Sequence, residues 1–290
     1  MNRKDKQKEL ADIFGDTEYI YTTNETLQKA IKNSGKGQYV WEETEPVPEG
    51  QDKKRYQKAA KITVSPHRTL EAARYYKGQK VAVLNFASAT CPGGSVLYGG
   101  SAQEESLCRC STLYANLSQD AVSCGFHRVH RIQLRDGRIG YLYNDDCVYT
   151  PQVVVFKSDT GRPQLLEESE WYTVDVITCA APNLREFSSQ YMDDLEEEED
   201  EENISDKELE KIHKKRAKRV FELAKKEQVE VLILGAFGCG AFLNPPEVVA
   251  HAWKQVAKEY VHDFKVIEFA VYCSQKDSFN YDIFKEEIEG

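Results

Sequence analysis

Apolar positions along this chain change their spacing repeatedly, and each change marks an element. Lys80–Phe86 (KVAVLNF) and Val229–Gly235 (VEVLILG) are nearly continuous apolar runs, and Phe264–Tyr272 (FKVIEFAVY) is a third. Short runs of this kind are expected of strands buried on both faces of a parallel sheet. KITV at 61–64, RIGYLYN at 138–144, PQVVVFK at 151–157 and YTVDVITCAAPN at 172–183 read as further strands. Helical spacing dominates 206–227, where Leu209, Ile212, Val220 and Leu223 share a stripe. It recurs at 245–260, opened by proline, and at 65–76, with Ser65 as N-cap, Pro66 at the first position and Leu70, Ala73 and Tyr76 on one face. A helix is predicted from Ser101 to about Tyr114, and another over about 3–14 through Leu10, Ile13 and Phe14. The stretch 22–50, with Pro46 and Pro48, is polar and turn-rich and reads as a covering extension. Strands alternating with helices predict a three-layer α/β/α sandwich around a mixed, mostly parallel sheet. It should occupy 61–290, with an N-terminal helical extension at 1–60 packed on the core and an acidic surface insertion at 186–206.

That architecture locates the chemistry, because open α/β sheets bind ligands beyond the carboxyl ends of their strands. Two glycine-rich loops fall there. One carries Gly93, Gly94, Gly99 and Gly100 and runs straight into Gln103, Glu104 and Glu105; the other carries Gly235, Gly238 and Gly240. Backbone N–H groups at such loops, helped by helix N-termini, can bind an anionic ligand. Neither loop matches the dinucleotide fingerprint or a P-loop. The acids admit two readings. Ser101-Ala-Gln-Glu104 has the S-x-x-E form of a capping box, which would leave Glu105 as a surface acid favoured by the helix dipole. Alternatively, the pair serves acid–base chemistry. Asn183 and Asn244 read as turn residues.

Composition narrows the class. The 290 residues carry a formal charge of −10, part of it in the run Asp193–Glu202. An acidic balance argues against general adhesion to nucleic acid or anionic membranes but leaves a phosphate ligand open. The charged N-terminus and the lack of a long apolar run point to a cytoplasmic protein. Eight cysteines are scattered without a C-x-x-C, and most of them read as buried thiols. Cys108, Cys110, His127 and His130 make only a weak zinc pattern. No metal and no cofactor are expected.

The stretch Asn85–Tyr114 (NFASATCPGGSVLYGGSAQEESLCRCSTLY) resembles the signature of bacterial-type, macrodomain poly(ADP-ribose) glycohydrolases, a GGG loop followed after a spacer by QEE. Gly235–Pro246 (GAFGCGAFLNPP) resembles that family's second ligand loop. The resemblance implies a macrodomain-like fold and hydrolysis of the O-glycosidic ribose–ribose bond. It implies that Gly93, Gly94 and Ser95 bind the diphosphate of ADP-ribose through backbone N–H groups. Glu105 would be the general acid and base, and Glu104 would hold the ribose hydroxyls beside Gln103. Gly238, Cys239 and Gly240 would line the phosphates and Phe242 would pack on the distal ribose. Asn85, Ser88, Gly235, Phe237 and Ala241 complete the implied substrate-binding set. Poly(ADP-ribose) or an ADP-ribosylated macromolecule would be the substrate, ADP-ribose the product, and the protein a monomer. A mono-ADP-ribosyl hydrolase acting on protein or nucleic-acid ends, and a non-catalytic ADP-ribose-binding module, remain as alternatives. Ser88 stands where eukaryotic members carry Asn. Ser95 stands where a third glycine is usual, so its Cβ is expected to restrict the loop. The chemistry is coherent: an oxocarbenium-like transition state needs a protonated carboxyl, and a carboxyl pair in a dry cleft can keep one acid protonated.

Overall fold

The computed structural model describes residues 2–46, 54–185, 204–274 and 277–290. The acidic run Asp193–Glu202 lies outside them, as does most of the segment expected as an insertion. The strands are β1 (Tyr39–Trp41), β2 (Lys61–Ser65), β3 (Val81–Phe86), β4 (Cys147–Val155), β5 (Tyr172–Cys179), β6 (Val231–Leu234) and β7 (Val266–Ala270). The helices are α1 (Arg3–Thr23), α2 (Glu25–Gly37), α3 (Thr69–Arg74), α4 (Gln103–Cys110), α5 (Leu113–Leu117), α6 (Asp120–Val122), α7 (Val129–Arg135), α8 (Asp206–Lys226), α9 (Pro246–Glu259) and α10 (Phe279–Glu289).

The described strands form one seven-stranded sheet in the order β1-β4-β5-β3-β6-β7-β2. Pairing is parallel from β5 through β3, β6 and β7 to β2, and antiparallel for β1·β4 and β4·β5. The mixed, mostly parallel α/β sheet is as the apolar runs imply. Strand side chains alternate faces, and β3 shows the result. Ala82 and Leu84 pack with Phe221, Trp253 and Phe269 in one core. Val81 and Val83 pack with Leu107, Leu113 and Phe126 in the other. Apolar positions on both faces explain the unbroken run.

Several local expectations change. The stretch 22–50 is not merely turn-rich: Asn24 caps α2 through a hydrogen bond from the Leu27 N–H, and β1 then joins the sheet against β4. A line drawn at residue 60 therefore separates β1 from the sheet it belongs to. Ser65 does not cap a helix. It ends β2, and α3 starts at Thr69 with Arg68 at the cap position. Pro66 follows a strand residue whose extended backbone suits the residue before proline. Residues 138–144 form bends and turns rather than a strand; Tyr143 has φ +57, in the left-handed region rather than the extended one. The helix expected over 101–114 is two, because Ser111 at the end of α4 is extended.

Helix α1 is longer than predicted and braces the first glycine loop. Thr17 Oγ1 donates to the Arg109 carbonyl at 2.7 Å. The buried Lys157 ammonium donates to the Ile13 carbonyl at 3.2 Å and pairs with Asp16 at 2.7 Å. At Gly99, φ is +74 and a Cβ would run into the Gln7 carbonyl of α1.

Gly99→Ala should therefore destabilise beyond its backbone strain. Gly78 supplies the control, because it has φ +96 and nothing within 4 Å of a Cβ. Gly78→Ala should cost about 1–2 kcal/mol from the left-handed backbone, and Gly99→Ala about 1–3 kcal/mol more from overpacking. Urea denaturation of both variants checks this; equal losses would mean that α1 does not press on the loop.

Candidate active site

The first glycine loop leaves the carboxyl end of β3 at the middle of the sheet, and α4 returns from it carrying the acids. Gln103 fastens that return. Its amide accepts from the Phe86 N–H at 2.9 Å and donates to the Leu84 carbonyl at 2.8 Å and to Thr69 Oγ1 at 3.1 Å. The β3·β6 register ends at Val83 opposite Ile233. The Gln103 amide thus continues the ladder where β6 has turned away, which also satisfies buried backbone groups. Its polar atoms are engaged with the protein rather than presented to a ligand.

The capping-box reading of Glu104 does not hold. Helix α4 begins at Gln103 with Ala102 as the cap residue and no side-chain cap bond. Glu104, only 2% exposed, turns inward. One carboxyl oxygen accepts from the Ser88 N–H at 2.7 Å and the other from Asn85 Nδ2 at 3.2 Å. Asn85 Nδ2 also reaches Thr178 Oγ1 at 3.2 Å. Glu105 is 7% exposed. Its Oε1 accepts from the Ser95 N–H at 3.0 Å and the Ser95 hydroxyl at 2.8 Å. Arg109, one turn further along α4 and buried, donates to the Gly100 carbonyl at 2.5 Å.

The glycines explain how acids and loop come so close. A Cβ at Gly94 would stand 2.7 Å from Glu105 Oε1 and 3.1 Å from Glu104 Oε2. One at Gly100 would stand 2.8 Å from Glu105 Oε1 and collide with Ser95 Oγ. Hydrogen at those positions is what admits the carboxylates. Ser95 itself has φ −103, a backbone open to any residue, so its Cβ does not restrict the loop as expected.

Desolvation drives the Glu104 carboxyl from 4.5 up to about 8; the Ser88 N–H opposes this and the neighbouring Glu105 charge adds to it. Burial thus holds the proton on Glu104, whereas the acid–base role was expected to fall to Glu105.

The second loop follows β6, next to β3 in the sheet. Gly235 sits where a Cβ would meet the Ala270 carbonyl at 2.7 Å and the Phe86 ring at 2.9 Å. Phe237 was expected at the ligand but is fully buried, its ring 5.6 Å from that of Phe86 and 5.3 Å from that of Trp253. It supports the loop from beneath. Gly238 has φ +82, Cys239 is half-buried, Gly240 and Ala241 are exposed, and Phe242 is half-buried. Burial pushes the Cys239 thiol up, which keeps it un-ionised. Among the described residues, no hydrogen bond occupies the backbone N–H of Gly238, Gly240, Ala241 or Phe242. The donors of the first loop at Ser88 and Ser95 point at the acids instead.

Sequence reasoning passed over the residue that shapes this loop. Asn244 Nδ2 donates to the carbonyls of Pro182 at 2.7 Å, Gly238 at 3.1 Å and Phe242 at 3.2 Å. Its Oδ1 lies 2.9 Å from His213 Nε2, and Trp253 Nε1–H donates to His213 Nδ1 at 3.4 Å. Desolvation drives His213 down to about 4. The neutral ring can then accept at Nδ1 and donate at Nε2, as this chain requires. An Asn before two prolines looks like a turn residue, and its partner is 31 positions away. His127 and His130 pack with Phe126, at ring separations of 5.0 and 4.4 Å.

The model of the microbial-type PARG catalytic domain matches residues 7–158, a span that holds α1, the first loop and both acids. The chain belongs to the microbial-type poly(ADP-ribose) glycohydrolase family. It is similar to the poly(ADP-ribose) glycohydrolase of Thermomonospora curvata, with 29% identity over 97% of this chain and 99% of that one and a TM-score of 0.80. The Thermomonospora enzyme bound to the inhibitor ADP-HPD is also similar, with 29% identity, 96% and 98% coverage and a TM-score of 0.75. The Deinococcus radiodurans poly(ADP-ribose) glycohydrolase in complex with ADP-ribose matches at 29% identity over 89% of this chain and 97% of that one, with a TM-score of 0.73. No curated protein sequence matches the chain. Within a glycosidase family, two buried carboxyls walled by glycines are the group to test first.

Stability should report the Glu104 proton. An acid whose folded pKa is raised holds its proton more tightly folded than unfolded. Stability present at low pH is then lost as pH rises from 4.5 through about 8. Glu104→Gln removes that loss and keeps the shape. Melting temperatures from about pH 5 to about pH 9 should shift progressively in favour of the variant; parallel curves would mean that Glu104 is not held protonated.

Proposed function

We propose that this protein hydrolyses the O-glycosidic ribose–ribose bonds of poly(ADP-ribose) and releases ADP-ribose, with Glu105 as general acid and base. The observation that carries the reading is the buried Glu104–Glu105 pair held against the glycine loop at the carboxyl end of β3. Its conformation is set by hydrogen bonds, not by a helix cap. The related enzymes with ADP-ribose or ADP-HPD bound support the ligand class.

On this reading the diphosphate lies along the second loop, where the N–H groups of Gly238, Gly240, Ala241 and Phe242 are available to oxygen anions. Phe242 backs the distal ribose, and Gly93, Gly94 and Ser95 close over the phosphate end nearer the acids. Glu105 in its acid form gives a proton to the leaving ribose oxygen as the glycosidic bond breaks. The same carboxylate then takes a proton from the water that adds to the oxocarbenium carbon. Glu104, kept neutral by burial, offers its O–H to a ribose hydroxyl without adding a charge. Gln103 and Asn85 act as positioning residues through the bonds described above. No step calls on a metal or a cofactor. A non-catalytic ADP-ribose-binding module, which would keep both loops and lose turnover, is the alternative that the turnover assay below decides. Eight unpaired cysteines fit a cytoplasmic site of action. Among the described residues no helix is long and apolar enough to cross a membrane.

Glu105→Gln should keep ADP-ribose affinity and melting temperature while polymer turnover falls by roughly 10²-fold or more. Glu104→Gln should lose turnover only in part. Gel assay of labelled polymer beside a mono-ADP-ribosylated protein, with calorimetry of ADP-ribose binding, checks both variants. Wild-type turnover in Glu105→Gln would sink the assignment, and the reverse ranking would move the acid to Glu104. A wild type that binds ADP-ribose and cleaves only the mono-modified protein would replace the polymer as substrate.

A further inference from the structure

Ser95 is the loop residue at which this chain departs from the family signature it otherwise resembles, and it is also the residue that touches Glu105. Both of its donors, N–H at 3.0 Å and O–H at 2.8 Å, end on one atom, Glu105 Oε1. The Ser95 backbone is held in place by its surroundings: its carbonyl accepts from the Tyr98 N–H at 3.0 Å and from the Gly100 N–H at 3.0 Å. Gly94 and Gly100 press against the same carboxyl from either side. Among the described residues no hydrogen bond reaches Glu105 Oε2.

We infer that Ser95 is a positioning residue that decides which oxygen of Glu105 handles the proton. The inference rests on Glu105 being the general acid. A carboxylic acid carries its hydrogen on one oxygen, and an oxygen that already faces two donors is the wrong one, since a third hydrogen would have no lone pair to meet. With Oε1 committed to Ser95, the proton of the acid form sits on Oε2. In the first half of the reaction, the Oε2–H bond breaks as the proton joins the leaving ribose oxygen, and the C–O glycosidic bond breaks with its electron pair on that oxygen. In the second half, water forms the new C–O bond and its surplus proton returns to Oε2. Oε1 accepts the same two hydrogen bonds throughout. The carboxyl therefore need not rotate between the two halves, which is the benefit of fixing a catalytic group in advance. A glycine at position 95 supplies the N–H but not the O–H.

The test compares Ser95→Ala, Ser95→Gly and Ser95→Thr with wild type in kcat and KM on poly(ADP-ribose), in ADP-ribose affinity and in melting temperature. Removing a hydrogen bond to a charged group should lower kcat by roughly tenfold in both Ala and Gly variants. KM, ADP-ribose affinity and melting temperature should stay near wild type, and Thr should recover most of kcat. The loss should also vanish in a Glu105→Gln background, where no proton remains to be placed, so that Ser95→Ala/Glu105→Gln equals Glu105→Gln alone. Wild-type kcat in Ser95→Ala, or a Thr variant as slow as Ala, would overturn the inference. Glu105→Gln separates the two claims. If it is inactive while Ser95→Ala is unaffected, only the role of Ser95 falls; if it retains full turnover, the acid itself has been misassigned.

Discussion

A carboxyl taken out of water must be given hydrogen-bond donors or lose its charge, and two adjacent ones multiply the demand. Much of the site follows from that constraint. Ser88 and Ser95 turn their N–H groups toward Glu104 and Glu105, and the side chains of Asn85 and Ser95 add to them. The glycines lie where any side chain would occupy the volume of the carboxyl oxygens. Even so, the donors around Glu104 do not fully offset its desolvation, and its proton stays on to about pH 8. A loop whose composition suggests phosphate binding thus spends much of its hydrogen-bonding capacity on the protein's own acids.

The two loops are held by different means. The first is held by charge and by helix contact: Arg109 below it, α1 against Gly99, and Gln103 locking α4 to β3. The second is held by a neutral chain running from Trp253 through His213 to Asn244, which gathers the carbonyls of Pro182, Gly238 and Phe242. While these carbonyls are tied, the N–H groups of Gly238, Gly240, Ala241 and Phe242 make no hydrogen bond among the described residues.

How far the sequence could be read depended on whether the governing contact was local. β3 and β6 were legible because burial on both faces writes an apolar run. α8 and α9 were legible because one buried stripe writes helical spacing. The two acids and both glycine loops stood out for the same reason, since a motif is local. Ser101 and Glu104 fitted a capping box in spacing, yet the buried bonds from Asn85 and Ser88 decided the outcome, and those partners lie 19 and 16 residues away. β1 went unread because three residues pairing with β4 leave almost no periodic trace. The turns at 138–144 imitated a strand by alternating Ile139, Tyr141 and Tyr143, and only backbone dihedrals reveal otherwise. Asn244 and His213 could not be coupled without knowing that α8 packs behind the loop.

The strand order also fixes when the molecule can be finished during synthesis. β2 is made early, but its partner in the sheet is β7, with Lys61 opposite Val266. Central β3 likewise waits for β5 and β6. Pairings this distant in sequence close late, after the entropy of long loops has been met. Through most of translation the β2 edge remains an unpaired template. The glycine loop and its acids, complete in sequence by residue 105, rest on a sheet that cannot close until the last strand has left the ribosome. A nascent chain of this protein therefore carries the parts of its site long before it has the scaffold that aligns them.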